Sequence, residues 1–203
     1  NKQEFNEFVK LHTGKMNCFT SVYDYKQYTA KQAVTSTVVL DRVFLDFDAH
    51  HGETDKVTGA QFIKPDEVEK CRIDLCNIIT QLILGLYKFD ISFSGRGFHV
   101  YVYGKPAKDI RQLTAFFNEM KPHTTNGTLD SSSISSRRLR RIRNTMNMKA
   151  SYEKGCYYCI PLKLADIHST ENILNLAKPP RSIPLTIYGS KLHDWPEVLP
   201  IEE

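Results

Sequence analysis

Apolar positions recur along this chain with two periods, and the period changes mark out its elements. Residues from about Lys2 to His12 place Phe5, Phe8 and Val9 at helical spacing. Phe19 and Val22 suggest a strand, and Tyr23, Tyr25 and Tyr28 a polar aromatic surface. A hydrophobic stretch from about 38 to 48 ends in Val43-Phe44-Leu45-Asp46-Phe47-Asp48 and reads as a strand. Pro65-Asp66-Glu67 then opens a long helix, because proline suits a first turn and acids there meet the positive end of the helix dipole. Val68, Cys71, Leu75, Ile78, Ile79 and Leu82 give it one inner face, ending near Gly85. Residues 89–103 read as two strands about a glycine-bounded turn, and 107–120 as a helix with Ile110, Leu113, Phe116 and Phe117 inward. A strand over 157–162 and a helical stretch over 164–176 follow. The tail, carrying Pro179, Pro180, Pro184, Pro196 and Pro200, should be irregular and pinned by the single tryptophan, Trp195.

Two features of this pattern carry chemistry. A strand alternates its side chains, so Asp46 and Asp48 project from one face while Val43, Leu45 and Phe47 anchor the other. Two adjacent carboxylates repel, and a divalent cation between them relieves that repulsion. The second feature is Ser94-Gly95-Arg96-Gly97, a turn too short for a helical crossover, so its flanking strands should pair as an antiparallel hairpin. Glycines there let backbone approach a ligand, and Ser94, Arg96 and His99 add a hydroxyl, a forked cation and an imidazole suited to a polyphosphate.

An hhhDhD strand followed by the Ser94-to-His99 hairpin resembles the archaeo-eukaryotic primase superfamily, the catalytic domain of primases and primase-polymerases. A further element of that family follows in order: Leu129-Asp130, then Arg141-Ile142-Arg143-Asn144-Thr145-Met146-Asn147-Met148-Lys149, similar to an Arg-Leu-Pro-Gly-Ser-x-x-x-Lys stretch. Arg143-Asn144 stand where that pattern has Pro-Gly. The resemblance covers roughly 38–163 and implies an α/β (α+β) primase-polymerase fold. Its RRM-like, antiparallel-containing sheet would bear the site on an open face, with helices on the other.

By the same resemblance Asp46, Asp48 and Asp130 would be catalytic and would bind two Mg²⁺ or Mn²⁺ ions. Ser94, Arg96, Gly97, His99, Arg141 and Lys149 would bind the nucleotide, and Arg140, Arg143 and Asn147 nucleic acid. The expected partners are a single-stranded DNA template, nucleoside triphosphates and a fused or associated helicase. The basic run Arg137 to Arg143 has Leu139 and Ile142 interleaved, which predicts a short helix or strand with these two turned inward. Arg137 and Arg138 themselves fit a solvated face equally well.

Composition bounds these expectations. At 203 residues the chain suits one domain, read as a core of 38–163 with an N-terminal extension 1–37 and a tail 178–203. A net charge of +4 permits nucleic-acid binding without demanding it. No apolar stretch reaches the roughly 20 residues a membrane span needs, so no membrane partner is expected. The five cysteines, an odd number, suggest a reducing, cytoplasmic setting. Cys156 and Cys159 have zinc-knuckle spacing, but Cys71 and Cys76 offer no matching second pair, so structural zinc is not expected. His50 and His51 begin a polar loop running to Gly59 that would rim the site. The start at Asn1 and the end in Glu202-Glu203 suggest a domain excised from a longer replication protein.

Three functions fit these residues: template-dependent nucleotidyl transfer, non-catalytic binding of single strands, and two-metal hydrolysis on the same acids. Three like charges facing a phosphate backbone would burden a pure binding module, which favours the first.

Overall fold

A computed structural model describes residues 2–49, 54–57, 59–153 and 155–198. Among these, the chain runs through α1 (Lys2–His12), β1 (Phe19–Ser21), β2 (Asp24–Tyr25), β3 (Val38–Val39), β4 (Arg42–Phe47) and β5 (Gln61–Phe62). It continues through α2 (Pro65–Leu84), β6 (Lys88–Phe93), β7 (Phe98–Tyr103), α3 (Ile110–Met120), β8 (Leu139–Arg141), β9 (Ala150–Ser151), β10 (Ile160–Leu162) and α4 (Thr170–Leu176). The fold is mixed α/β. Among the described residues no helix is long and apolar enough to cross a membrane.

Its centre is a four-stranded sheet in the order β10-β6-β7-β4, every neighbouring pair antiparallel. The strict alternation of β4 and its neighbours decides what each face carries. Val43, Leu45 and Phe47 stand in register with Val102, Val100 and Phe98, which in turn face Phe89, Ile91 and Phe93. All nine are fully buried on the side where α2 and α3 pack against β4 and β7. The other face presents Phe44, Tyr101 and Asp90 in one row and Asp46, His99 and Ser92 in the next. A narrow antiparallel ribbon of β1 and β8 supplies the arginines that sit over this face: the Arg140 guanidinium lies 5.2 Å from the Tyr101 ring centre. Just before β8, the Arg138 guanidinium lies 6.0 Å from that of Phe44.

The helices follow their sequence signals closely. α2 begins at Pro65 and buries the expected apolar face. It ends at Leu84 with Gly85 as its C-cap, as expected, while the left-handed position falls one residue later on Leu86, at φ 58°, and Tyr87 N–H donates to the Leu82 carbonyl. α3 starts at Ile110 instead of Ala107, because the Asp109 carboxylate accepts from Arg111 N–H and caps it there.

Elsewhere the structure corrects the pattern. The expected strand 38–48 is broken into β3, which pairs with β2, and β4. Tyr23 belongs to the core, not to a polar surface, and the Tyr25 hydroxyl donates to the Ser136 carbonyl, leaving only Tyr28 of the three widely exposed. Leu139 points outward, 57% exposed, because alternation along β8 puts Arg140 over the main sheet. The strand expected over 157–162 shrinks to β10, and 164–176 divides into a 3₁₀ segment and α4. Among the described residues the tail has no regular element, and Trp195 pins it: the indole N–H donates to the Lys105 carbonyl at 2.6 Å and the ring meets Phe116 edge-on. Of the loop expected from His50 to Gly59, residues 50–53 and 58 lie outside the described residues.

Candidate active site

The acids come together from two stretches of chain. Asp46 and the start of the next segment are joined by backbone: Asp130 N–H donates to the Asp46 carbonyl at 2.8 Å, and Asp48 N–H to the Thr128 carbonyl at 2.9 Å. Residues 128–130 thus add a short antiparallel edge to β4, with Leu129 opposite Phe47. Oxygens of Asp46, Asp48 and Asp130 lie within 4.8 Å of one another, the one such group of three metal-ligating side chains among the described residues.

Burial makes this grouping electrostatically tense. Asp46 is pushed up to about 7, first by burial and then by the Asp48 carboxylate, against the pull of Arg138. Arg138 offsets part of this, its Nη2 lying 2.5 Å from Asp46 Oδ2 and 3.2 Å from Asp130 Oδ2. Burial also raises Asp130, but the Ser132 hydroxyl and N–H together with Arg138 outweigh it and hold that carboxyl below its usual range. Arg96 forks onto Asp48, Nη2 to Oδ2 at 2.6 Å and Nε to Oδ1 at 3.2 Å. Asp46 Oδ1 is buried without a hydrogen-bond partner among the described residues. An all-oxygen trio with one orphaned carboxylate oxygen fits a hard divalent cation such as Mg²⁺ or Mn²⁺.

The hairpin turn closes over the end of β4. Gly95 sits at φ 87°, and a Cβ on Gly97 would fall 1.7 Å from the Phe47 carbonyl oxygen, so only glycine lets the turn approach so near. The Ser94 hydroxyl accepts from Gly97 N–H at 3.0 Å and from Arg96 N–H at 3.4 Å, which shapes the turn. His99 stands directly across from Asp46, its Nε2 3.6 Å from Asp46 Oδ1. Burial first, then the surrounding arginines 140, 141, 143 and 138, hold it well below the usual histidine range, so the ring is neutral at pH 7.

The basic segment divides its arginines among distinct tasks. Arg141 is buried, donates to Asn17 Oδ1 and the Met146 carbonyl, and lies 4.9 Å from the Phe19 ring centre. Burial lowers it to about 10, which leaves it cationic at pH 7. Lys149 is exposed, 5.9 Å from the same ring. Arg143 spans both rows of the sheet, its Nη2 on buried Asp90 at 2.5 Å and its Nε on the Ser92 hydroxyl at 2.7 Å. Asn147 is buried and braces the turn by donating to the Ser94 carbonyl at 3.0 Å. Asn144, where the resemblance has glycine, sits at φ 64°, a left-handed conformation that asparagine tolerates better than most residues.

A cavity of about 380 Å³ gathers Asp46, Asp48, Ser94, Arg96 and His99 on one side and Arg140, Arg141, Asn147 and Lys149 on another, with Phe19 and Leu139 as its apolar rim. Arg138 lines it too, a residue whose sequence fits a solvated face and a ligand contact equally well. Its role follows from pairing across the fold, which no local pattern carries. A larger cavity, about 680 Å³, opens between the start of α2 and α4, lined by residues such as Pro65, Glu69 and Thr170. Volume alone therefore does not choose the site; the convergence of the acids with the cations does.

No protein-family model and no curated protein matches this chain. Among solved structures, the chain is similar to the polymerase domain of Mycobacterium tuberculosis Ligase D, solved in complex with DNA, at 11% sequence identity and a TM-score of 0.47. The match covers 78% of this chain and 58% of that one, so the chain spans less than two thirds of its neighbour's length.

Proposed function

We propose that this protein is a template-dependent nucleotidyltransferase of the primase-polymerase kind, making or extending nucleic-acid primers from nucleoside triphosphates. The observation that carries the reading is the meeting of three carboxylates within 4.8 Å, two of which, Asp46 and Asp48, line a cavity together with four arginines and a lysine. Acids alone would suit many ligands. Acids beside a ring of cations suit divalent ions together with a polyphosphate.

In this reading Asp46, Asp48 and Asp130 hold the divalent ions, which when bound activate a 3′-hydroxyl and neutralise a departing pyrophosphate. Arg96, the turn at Gly97 and neutral His99 face the triphosphate. A neutral imidazole can donate one hydrogen bond there without adding a charge to an already cationic wall. Arg141 and Lys149 supply positive potential, and Arg140, on the ribbon that covers this face of the sheet, lies on the cavity wall where a strand would pass. Ser94 and Asn147 act by holding the turn. Arg143 contributes by pairing with buried Asp90 and donating to Ser92, which steadies the sheet beneath the site.

The test is to incubate the protein with single-stranded templates, with and without annealed primer, in Mg²⁺ or Mn²⁺, comparing labelled ribo- and deoxynucleoside triphosphates. Products that lengthen with the native protein and vanish in Asp46→Ala/Asp48→Ala are expected. Metal-dependent shortening of the strand would instead establish a nuclease. Strand binding without either product would leave a binding module.

A further inference from the structure

Asp74 lies in the middle of α2, on the same inner face as Cys71, Leu75 and Ile78, and is completely buried. A carboxylate at such a position is costly unless its oxygens are fully engaged. They are engaged by one short segment. Oδ1 accepts from Thr125 N–H at 2.8 Å, Asn126 N–H at 2.9 Å, Asn126 Nδ2 at 3.1 Å and the Thr125 hydroxyl at 3.3 Å. Oδ2 accepts from the Thr128 hydroxyl at 2.8 Å and Thr128 N–H at 3.2 Å. Every one of these donors is neutral, and together they outweigh burial to keep the carboxyl below its usual range.

That segment leads straight into the site. Residues 124–127 form no helix or strand, yet Thr128 to Asp130 must lie flat along β4 for the third acid to reach the first two. Only two backbone bonds tie 128–130 to β4, from Asp48 N–H and from Asp130 N–H. The carboxylate of Asp74, reaching up from the helix behind the sheet, fixes the approach of the segment from its other end.

We propose that Asp74 is a positioning residue that sets the distance of Asp130 from Asp46 and Asp48 and thereby the divalent-cation affinity of the trio. The proposal rests on the reading of that trio as a metal site. Asparagine at position 74 keeps the volume but turns an N–H₂ toward a ring of donors, so the segment would shift while α2 keeps its packing. Thr128→Val removes a single donor and leaves the Asp74 charge in place.

The experiment is calorimetric titration of Mn²⁺ into native protein, Asp74→Asn and Thr128→Val, with melting curves and single-strand binding measured beside it. Asp74→Asn should weaken Mn²⁺ binding about tenfold or more, and Thr128→Val about threefold, with strand affinity unchanged in both. Nucleotide incorporation by either variant, where the native protein shows it, should recover at saturating Mn²⁺. Folded variants with native Mn²⁺ affinity would overturn the proposal, and so would a native protein that binds no Mn²⁺. If Asp74→Asn fails to fold, native affinity in Thr128→Val decides against it. A native protein that binds Mn²⁺ through the acids but incorporates no nucleotide would refute the polymerase reading alone, because cation affinity is read without turnover.

Discussion

Arg138 Nη2 lies 2.5 Å from Asp46 Oδ2 and 3.2 Å from Asp130 Oδ2, so one guanidinium stands between two of the three acids. It engages Oδ2 of each and leaves Asp46 Oδ1 without a hydrogen-bond partner among the described residues. Substituting Arg138→Gln should lower stability in chelator by up to about 3 kcal/mol, the low end for an unpaired buried charge, because Asp46 can take up a proton instead. Millimolar Mn²⁺ should restore most of that loss by binding only the folded state, worth about 2.7 kcal/mol at a hundredfold excess over Kd. Melting curves with chelator and with Mn²⁺ check this; an equal deficit in both would show that Arg138 has no bearing on the metal site.

Gly97→Ala places a methyl group 1.7 Å from the Phe47 carbonyl, so the turn must lift from the end of β4. A stability loss of about 1–3 kcal/mol is expected, as for overpacking of a filled interior, together with weaker nucleotide binding. Gly127→Ala serves as the comparison: its Cβ meets nothing within 4 Å, but φ 67° is strained for alanine and costs about 1–2 kcal/mol. Urea unfolding with nucleotide binding on both variants separates crowding at the turn from backbone strain. Equal nucleotide affinities would remove the turn from the site.

Phe19 is 41% exposed at the cavity rim, with Arg141 and Lys149 beside its ring. An exposed aromatic flanked by cations suits a nucleobase stacked on one face. Phe19→Ala should reduce single-strand affinity by about 1–3 kcal/mol while moving the melting midpoint little. Fluorescence anisotropy with a labelled oligonucleotide measures it, and undiminished affinity would assign Phe19 to the ribbon alone.

Acid sensitivity should be traceable to Asp166. Burial raises this carboxyl, but Arg181 and the Lys163 N–H outweigh it and hold it below its usual range. A depressed carboxyl contributes stability above its unfolded pKa, about 3.9, and loses it as pH falls through the lower folded value. Asp166→Asn should therefore be less stable than the native protein at pH 7, and the gap should narrow as pH falls below the unfolded carboxylate value and close once the folded carboxyl is protonated. Urea midpoints across that range test the sign; a constant gap would mean that packing, not ionisation, carries the effect.

What the sequence disclosed follows from how local each signal is. The β4 alternation, the glycine turn and the inner faces of α2 and α3 depend on residues a few positions apart, and each lies where its spacing implies. Asp46 and Asp48 were legible as a pair for the same reason, although their partner Asp130 was legible only through resemblance. Arg138 and Asp74 were not, since the first is defined by a contact 92 positions away and the second by contacts more than 50 away. Tyr23 misled because its hydroxyl suggests solvent while its ring fills the core. Arg143 shows the reverse: it lies in a basic run, but its closest partner is the buried carboxylate of Asp90.

The segment 128–130 also stands at a border of the central sheet, and this gives the acid site a second duty. A sheet ending in an unpaired strand invites another chain to add to it. Here one border is closed by β10, whose middle residue Pro161 has no N–H to offer, and by Tyr188 of the tail, which pairs with Phe89. The opposite border, β4, is covered at its Asp46–Asp48 end by the stretch that delivers Asp130. Loosening that stretch would uncover an apolar strand edge as well as dismantle a cation site, so variants that impair one should also show self-association.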